Sequence, residues 1–341
     1  MNILRTLAVA SLVLTGTLCL PGQYVGQRSI WHMTGATQSG SPVDLGFVDP
    51  SWHIAATGCF HSGGTHDIVW ENIESGDRYV WLMSGATVTD VEFITNVSTD
   101  WRIVGVGEFG GGTASDIVWE SMANGDRAVW LMNYYTQTGS AYIANVGTDW
   151  HIAGVGSFQS GSTADLLWEN TSTGDFAIWL MNHASLVSAP YLANVSTPWR
   201  VAAVGNTDGT NSSDLIWQNP STGDVVIWLM NGATWSSQNY VTTVADLNWR
   251  IAAAGDFNAD TDADILWEYT PSGDSDANGM DDSWERTTFS RLGVAPSSTT
   301  GTSGDIPYLI KLELGLHNLA TKPTAISLTD ASIELKVTKP Q

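Results

Sequence analysis

The sequence is poor in positive charge and in charged residues generally. Lys and Arg together number 13 against 35 Asp and Glu, which gives a formal net charge of −22 at pH 7. Such a surface repels nucleic acid and anionic membranes, and it excludes those classes of partner. Charged residues make up only 14% of the chain and hydrophobic residues 43%, so the composition is too apolar for a disordered chain.

Cysteine is almost absent, and one of the two cysteines lies in an N-terminal apolar stretch. Arg5 is followed by apolar residues 6–20, which include Cys19. This stretch is too short for a comfortable transmembrane helix, and we interpret residues 1–22 as a secretory signal peptide. Its removal leaves Cys59 without an internal partner, which excludes a disulfide scaffold. The sequence therefore predicts a secreted or cell-surface protein with no integral membrane segment after signal removal.

The sequence also lacks the usual catalytic patterns. It contains no Gly-x-Ser-x-Gly elbow and no pair of histidines at helical spacing. His61 and His66 flank Cys59 and Asp67 in one loop, but their spacing matches no standard zinc site. We therefore predict that the protein is not an enzyme.

What the sequence has in abundance is tryptophan, and most of it recurs at a spacing of 49 or 50 residues. Each repeat opens with a Trp-Arg/His-Ile/Val step and continues with an Asp-apolar-apolar-Trp run, a Gly-Asp pair and a Trp-x-Met triplet. A fixed period near 50 residues indicates an array of one supersecondary unit. The opening tryptophans are Trp52, Trp101, Trp150, Trp199 and Trp249, and the aspartates of the second run are Asp67, Asp116, Asp165, Asp214 and Asp264.

The repeating unit reads as a four-stranded sheet without helices. In the second copy we predict strands at 101–109, 116–120, 127–132 and 141–146, with a hairpin signal at Asn124-Gly125-Asp126. Runs such as Ile68-Val69-Trp70 are apolar on both strand faces and need a sheet packed on each side. Radially stacked four-stranded blades meet that need, so the predicted fold is an all-β β-propeller.

The two ends of the array predict a closed ring of five blades. The last repeat keeps its strands from Trp249 to Trp267 but lacks the Trp-x-Met strand, while residues 29–48 supply a lone Trp31-His32-Met33 strand. Two strands from each end would complete one blade. The predicted propeller then covers residues 29–272, followed by a small C-terminal extension at 273–341. An open array, or a fragment of a larger ring, is the alternative.

The repeat resembles the FG-GAP or VCBS-type repeats of bacterial secreted and surface proteins. The resemblance is carried by Asp-Ile-Val-Trp-Glu-Asn, Gly-Asp, Val-Trp-Leu-Met and Trp-Arg-Ile-x-Gly-Val-Gly-x-Phe, over residues 29–270. It implies a β-propeller related to integrin α-subunit heads and some lectins, which act in adhesion, in sugar binding or as scaffolds. It also implies a calcium loop in the last repeat, formed by Asp256, Asn258, Asp260 and Asp264. The other four loops depart from that pattern, and we predict that their aspartates bond backbone amides instead.

A second calcium motif follows the array and matches Asp-x-Asp/Asn-x-Asp/Asn-Gly-x5-Glu at every fixed position. Oxygen ligands at alternate positions curl such a loop around Ca²⁺. The predicted ligands are Asp274, Asp276, Asn278, the carbonyl of Met280, Asp282 and Glu285. A solvated acidic linker is the alternative. Further on, residues 324–338 alternate apolar and polar side chains and indicate one or two strands.

The repeated glutamates are expected to be structural, because one asymmetric site would suffice for catalysis. Glu71, Glu120, Glu169 and Glu268, with Gln218 in the fourth copy, are expected to pair with the Arg or His after the first-column Trp. The candidate ligand-binding residues are Trp235, Tyr134, Tyr135 and Tyr240, in or near the fourth-strand loops. The predicted function is a secreted non-catalytic module that binds a glycan or a surface protein. A scaffolding domain, or a lyase or hydrolase on the propeller rim, is the alternative.

Overall fold

The computed structural model describes residues 26–49, 51–161, 163–196, 198–210 and 212–270, together with the backbone of strands at 323–329 and 332–337. The secondary structure of these residues is β-strand with connecting turns and loops. Four complete repeats each form one antiparallel sheet. The predicted signal peptide at 1–22 and the predicted calcium motif at 274–285 lie outside the described residues.

The strands follow the repeats in chain order. The N-terminal segment contains β1 (Gln27–Trp31), β2 (Met33–Thr34), β3 (Thr37–Gln38) and β4 (Val43–Phe47). Blade 1 contains β5 (Trp52–Gly58), β6 (Asp67–Asn72), β7 (Asp77–Ser84) and β8 (Thr87–Asn96), and blade 2 contains β9 (Trp101–Gly107), β10 (Asp116–Ser121), β11 (Asp126–Asn133) and β12 (Thr136–Asn145). Blade 3 contains β13 (Trp150–Gly156), β14 (Asp165–Asn170), β15 (Asp175–Asn182), β16 (Ser185–Ser188) and β17 (Tyr191–Asn194). Blade 4 contains β18 (Arg200–Gly205), β19 (Asp214–Gln218), β20 (Asp224–Asn231) and β21 (Thr234–Thr243), followed by β22 (Trp249–Gly255), β23 (Asp264–Tyr269), β24 (Pro323–Thr329) and β25 (Ser332–Val337).

The fifth blade is built from both ends of the array, in the order β22-β23-β1-β4. Strand β1 pairs with β23 through the register Arg28↔Glu268 and Trp31↔Ile265. The innermost strands β5, β9, β13, β18 and β22 each contact the next, and β22 contacts β5 to complete the circle. The chain is a closed five-bladed β-propeller. This confirms the fold and the closure predicted from the sequence.

The core lies between the blades rather than within one central cluster. Each of the five seams contains its own cluster of buried apolar side chains, including the seam between blades 5 and 1. Each cluster includes the Trp of a second strand, at 1% exposure. Strand β6 is buried along its whole length, as expected for a strand covered on both faces. Truncating a side chain of this size in a packed core costs roughly 3–5 kcal/mol.

Three seams also contain a buried arginine that the sequence reading overlooked. Arg78, at the start of the third strand of blade 1, donates from Nη2 to the carbonyl of Trp101 in blade 2 at 2.8 Å. Its guanidinium lies over the Trp119 ring, 5.6 Å from the ring centroid. Arg28 and Arg127 make the same two contacts across their own seams. Phe176 and Val225 occupy the corresponding positions in blades 3 and 4.

The closing seam uses a hydrogen-bonded latch found at other seams. Between blades 1 and 2, the hydroxyl of Ser115 accepts the N–H of Cys59, and the N–H of Ser115 donates to the Cys59 carbonyl. Between blades 5 and 1, His66 replaces the serine, and its Nδ1 accepts the N–H of Asp256 at 2.8 Å. Burial lowers the pKa of His66, which favours the neutral imidazole that this bond requires.

The outer strands are longer than predicted. In blade 2 the fourth strand spans Thr136–Asn145 rather than 141–146. Its first half is polar and exposed, so it lacks the apolar signal by which strands are found in sequence. In blade 3 the outer strand is split into β16 and β17 at Pro190, which has no N–H to donate to a ladder. The predicted C-terminal strands are present as the antiparallel pair β24 and β25.

Candidate functional site

The recurring aspartate of the second strand is structural in every blade, as predicted for four of them. Asp116 is buried and accepts the backbone N–H groups of Phe109, Gly110 and Met132 at 2.7–2.8 Å. It thereby ties the loop after the first strand to the end of the third strand. Burial raises its pKa, against the opposing effect of these hydrogen bonds. The same pattern holds at Asp67, Asp165, Asp214 and Asp264.

The predicted calcium loop of the last repeat folds around its own backbone. Asp256 accepts the N–H groups of residues 258, 259 and 261, and Asn258 Oδ1 accepts the N–H of Asp260. Asp264 lies beneath the loop, where its carboxylate binds the N–H groups of Met33 and Phe257 and the ring of His32. Asp264 is therefore used as the other four aspartates are. Within the described part of the chain, no group of three or more His, Cys, Asp or Glu side chains is arranged to hold a metal ion.

The recurring glutamates link neighbouring blades, which confirms the expected pairing at three positions. Glu71 of blade 1 binds Arg102 of blade 2 at 2.5 Å and accepts the N–H of Ile103 at 3.1 Å. Glu120 binds His151 across the next seam at 2.6 Å. Across the closing seam, His53 lies 3.3 Å from Glu268. Because these carboxylates bind residues of the neighbouring blade, they are not available to a ligand.

The four predicted ligand-binding residues do not come together. Tyr134 lies in the β11–β12 hairpin at φ 54°, where other blades have glycines such as Gly85 at φ 60°. Tyr135 is half-buried and packs against the cluster between blades 1 and 2. Trp235 is 38% exposed at the start of β21 and lies 5.6 Å from the Trp228 ring. Tyr240 is five residues further along β21, or about 17 Å at the rise of a strand.

Tyr240 belongs to a column of exposed aromatic residues that the sequence reading missed. The column consists of Phe93, Tyr142, Tyr191 and Tyr240, at a spacing of 49 residues on the outer strands of blades 1 to 4. Their exposed fractions are 49%, 61%, 63% and 53%. The constant spacing is the signal that could have found them. A β-bulge directly after each of the four residues bends the strand and sets the direction of these side chains.

Each aromatic residue lies beside a polar pair at the same edge of its blade. In blade 2, the Asn145 amide donates to Asp126 Oδ1 and to the carbonyl of Asn124, both at 2.8 Å. The Tyr142 hydroxyl donates to the same carboxylate oxygen at 3.2 Å. The hydrogen bond from Asn145 is the largest factor that lowers the pKa of Asp126, which keeps this group ionised. We call the aromatic residue, the aspartate and the amide or hydroxyl partner the rim cluster of a blade.

The rim cluster varies from blade to blade. Blade 3 repeats it with Tyr191, Asp175 and Asn194. In blade 4, Tyr240 bonds the hydroxyl of Thr243 at 2.6 Å, and Thr243 donates in turn to Asp224. Blade 1 keeps Asp77 and Asn96 but has Phe93. The closing blade has Asp44 at the aromatic position, opposite β1.

A narrow cavity lies on the axis of the ring. It encloses about 230 Å³ and is lined by small and aliphatic residues of the five inner strands. Its one hydroxyl side chain, Thr57, donates to the carbonyl of Ala254. The described lining therefore offers no acid or base for chemistry.

Comparison with known proteins adds only a distant likeness. No protein-family model and no curated protein sequence matches this chain. Among solved structures, the Dos1 propeller is similar over 56% of this chain and 46% of its own, at 11% identity and a TM-score of 0.32. A chain of the nidogen/laminin complex is similar over 62% of this chain and 93% of its own, at 12% identity and a TM-score of 0.37. This chain thus spans less than half of the Dos1 propeller, and the fold described above rests on its own strand pairing.

The prediction of no integral membrane segment can be compared with the helix content of the structure. Across the ranges that the structure describes, there is no helix of sufficient length and apolarity to cross a bilayer.

Proposed function

We propose that this protein is a secreted, non-catalytic binding module that holds a multivalent glycan through its outer rim. The proposal is carried by one observation, which is the exposed tyrosine at the same place on blades 2, 3 and 4. Packing does not account for Tyr142 and Tyr191, because well over half of each side chain faces solvent. A flat ring exposed on a rigid strand suits the apolar face of a pyranose ring.

Multivalency follows from the symmetry of the ring. Equivalent sites on several blades of one rigid body can engage several sugars of the same polymer at once. Each further contact is then effectively intramolecular, so weak single sites combine into an avidity that exceeds each affinity by about 10²–10⁴. A surface carrying many copies of one sugar is the ligand that such a ring exploits.

Two alternatives make different demands on the structure. A scaffolding module needs no exposed aromatic column, whereas this chain has one. A rim hydrolase or lyase needs an acid and a base at one asymmetric place. The buried aspartates and glutamates of the second strands instead repeat from blade to blade and bind backbone or neighbouring blades, which supports binding over catalysis.

Export and calcium are part of the same proposal and rest on the sequence. The N-terminal apolar stretch supports secretion, and the motif from Asp274 to Glu285 supports calcium binding next to the propeller. A calcium-stapled extension suits the extracellular medium, where weak calcium sites are filled.

The proposal is tested by retention on immobilised neutral polysaccharides. Mannan, dextran and galactomannan are offered as polymers, with the matching free monosaccharides as competitors and a reducing-end assay for cleavage. We expect retention on at least one polymer, competition only at millimolar monosaccharide, and no new reducing ends. A variant that combines Tyr142→Ser, Tyr191→Ser and Tyr240→Ser should lose retention and keep the wild-type melting temperature. Cleavage of a polymer, or undiminished retention by that variant, contradicts the proposal.

A further inference from the structure

We propose that the rim clusters of blades 2, 3 and 4 are three acceptor sites for the hydroxyl groups of a neutral sugar, and that blade 1 lacks such a site. This inference rests on the proposed function and specifies its ligand chemistry and its valency. It follows from the hydrogen-bond inventory of the clusters.

The clusters of blades 2 and 3 use their donor hydrogens internally. Asn145 donates one amide hydrogen to Asp126 and the other to the Asn124 carbonyl, and Tyr142 donates its hydroxyl hydrogen to Asp126. The polar atoms that this cluster can offer are therefore acceptors, namely the amide Oδ1, the phenol oxygen and the carboxylate Oδ2, which already accepts one hydrogen from the Asn124 amide. Blade 3 has the same bonds from Asn194 and Tyr191 to Asp175. A ligand that is complementary to these clusters must therefore supply the hydrogen-bond donors.

Blade 4 reaches the same result with a different residue. Thr243 donates its hydroxyl hydrogen to Asp224 and so accepts the hydrogen of Tyr240 in the bond between their oxygens. The hydroxyl hydrogens of both residues are used, and the cluster again offers acceptors beside an exposed ring. Three consecutive blades thus share one recognition chemistry despite the change from Asn to Thr.

Blade 1 differs both in chemistry and in space. Phe93 has no hydroxyl, and its ring packs edge-on against Tyr79, with centroids 5.1 Å apart. In blades 2 and 3, the residues directly opposite the tyrosines are Ala128 and Ala177, whose small side chains leave space beside the tyrosine rings. A sugar can approach the tyrosine ring from that side, whereas Tyr79 covers the corresponding side in blade 1.

Charge selects against acidic ligands. The sites of blades 2 and 3 each contain an aspartate whose pKa is lowered by its asparagine, and the whole chain carries a net charge of −22. Uronic acids, sulfated sugars and sialylated glycans are repelled. A neutral sugar brings several hydroxyl donors and an apolar ring face together, which matches the acceptors and the aromatic ring together. A basic polypeptide would match the carboxylate alone.

The experiment compares matched variants on the polysaccharide that retains the wild type, and each variant is checked by thermal unfolding. Tyr142→Ala and Tyr191→Ala should each lower retention about tenfold, and the pair about a hundredfold, as avidity is lost site by site. Asp126→Ala should weaken retention with its ring intact. The controls are Phe93→Ala and Asp77→Ala, which make the corresponding changes in blade 1 and should alter retention less than twofold.

Three outcomes overturn the inference, and they separate it from the proposed function. If Phe93→Ala weakens retention as much as Tyr142→Ala and Asp126→Ala has no effect, the rim binds glycans through rings alone. If none of these variants changes retention, the rim is not the glycan site and the proposed function loses its support as well. If polylysine binds more tightly than any neutral polysaccharide and is released by 0.5 M NaCl, the ligand is a basic polypeptide.

Discussion

At the scale of single residues, the same amino acid has opposite roles at two places in each blade. The aspartate that opens the second strand is buried and satisfies backbone N–H groups, as Asp116 does. The aspartate that opens the third strand is only partly buried, and at Asp126 its carboxylate is held in place beside an aromatic ring. Burial raises the pKa of the first, whereas hydrogen bonds lower the pKa of the second.

Replacing Asp116 by Ala should be strongly destabilising. The change leaves three N–H groups without an acceptor inside the protein, and each such group costs about 1–3 kcal/mol. We expect the free energy of unfolding in urea to fall by about 3 kcal/mol or more. Asp90→Ala is the control, because Asp90 accepts one N–H on an exposed strand, and it should change stability by less than about 0.5 kcal/mol. Equal losses in the two variants would contradict the structural role of Asp116.

The ion pair at the closing seam should make stability fall in acid. Burial opposes ionisation of Glu268, but Arg28 at 2.7 Å and His53 outweigh it and lower its pKa below the ordinary glutamate value of 4.5. The stability contributed by the charged carboxylate is therefore complete above pH 4.5 and is lost as the pH falls through the lower folded value. Glu268→Gln should be less stable than the wild type by about 3 kcal/mol at pH 7. Urea unfolding at several pH values should show this difference shrinking below pH 4.5; a constant difference from pH 7 to pH 3 speaks against it.

At the scale of elements, three blades combine a glutamate of the second strand with an arginine of the third strand. Glu71, Glu120 and Glu268 lie next to buried arginines. In blade 4, Gln218 occupies the glutamate position and Val225 occupies the arginine position, so neither residue is charged. Blade 3 is mismatched, because Glu169 is retained while Phe176 replaces the arginine. Burial raises the pKa of Glu169, although His151 and Arg200 act against it.

The mismatch predicts unequal effects of the same substitution. Glu120→Gln leaves Arg127 buried without its carboxylate and should cost about 3 kcal/mol at pH 7. Glu169→Gln removes a half-buried charge that has no such arginine, and it should change stability by less than about 1 kcal/mol. Urea unfolding of the two variants under identical conditions provides the measurement. If Glu169→Gln is as destabilising as Glu120→Gln, Arg200 alone is a sufficient partner for Glu169.

At the scale of the whole molecule, the ring is closed by strands that are more than 200 residues apart in sequence. Strands β1 and β4 complete a blade begun by β22 and β23. The closing seam also contains Arg28 over Trp70 and the latch between His66 and Asp256. With closure, the second and third strands of every blade, including β23 and β1, are paired on both edges, which protects the ring from edge-to-edge association.

Removal of the N-terminal strands should open the ring. A chain that lacks residues 1–48 exposes the edge of β23 and the cluster between blades 5 and 1, so we expect a large fall in melting temperature and concentration-dependent association. The control lacks residues 320–341 instead, which removes β24 and β25 but no strand of the propeller. Differential scanning calorimetry and light scattering are the measurements. An unchanged melting temperature in the first truncation would mean that closure contributes little.

Calcium should stabilise the unit that contains the motif from Asp274 to Glu285. A ligand that binds only the folded state stabilises it by about 2.7 kcal/mol at a hundredfold excess over its dissociation constant. Glu285→Gln removes the bidentate carboxylate and should lose most of this gain. Calorimetry of both proteins, with calcium and with chelator, tests the prediction. Identical responses would identify the segment as an acidic linker.

The sequence by itself determined the period and the four-stranded unit, and it predicted the closure of the ring, which the pairing of β1 with β23 then decided. These features repeat, and each copy confirms the pattern of apolar residues that burial on two faces demands. It also determined the backbone role of aspartates such as Asp67, because a buried carboxylate at a strand start has few other partners.

Only the tertiary structure decided which side chains meet across seams and which remain on the surface. The partner of Glu71 on its own blade is Arg78, and the partner on the next is Arg102. The aromatic column was hidden because its strands are exposed and polar over much of their length. Tyr142 is an aromatic residue like the core tryptophans, but its side chain faces outward beside Asp126. The direction of this side chain depends on strand pairing and on a bulge, which local composition does not reveal.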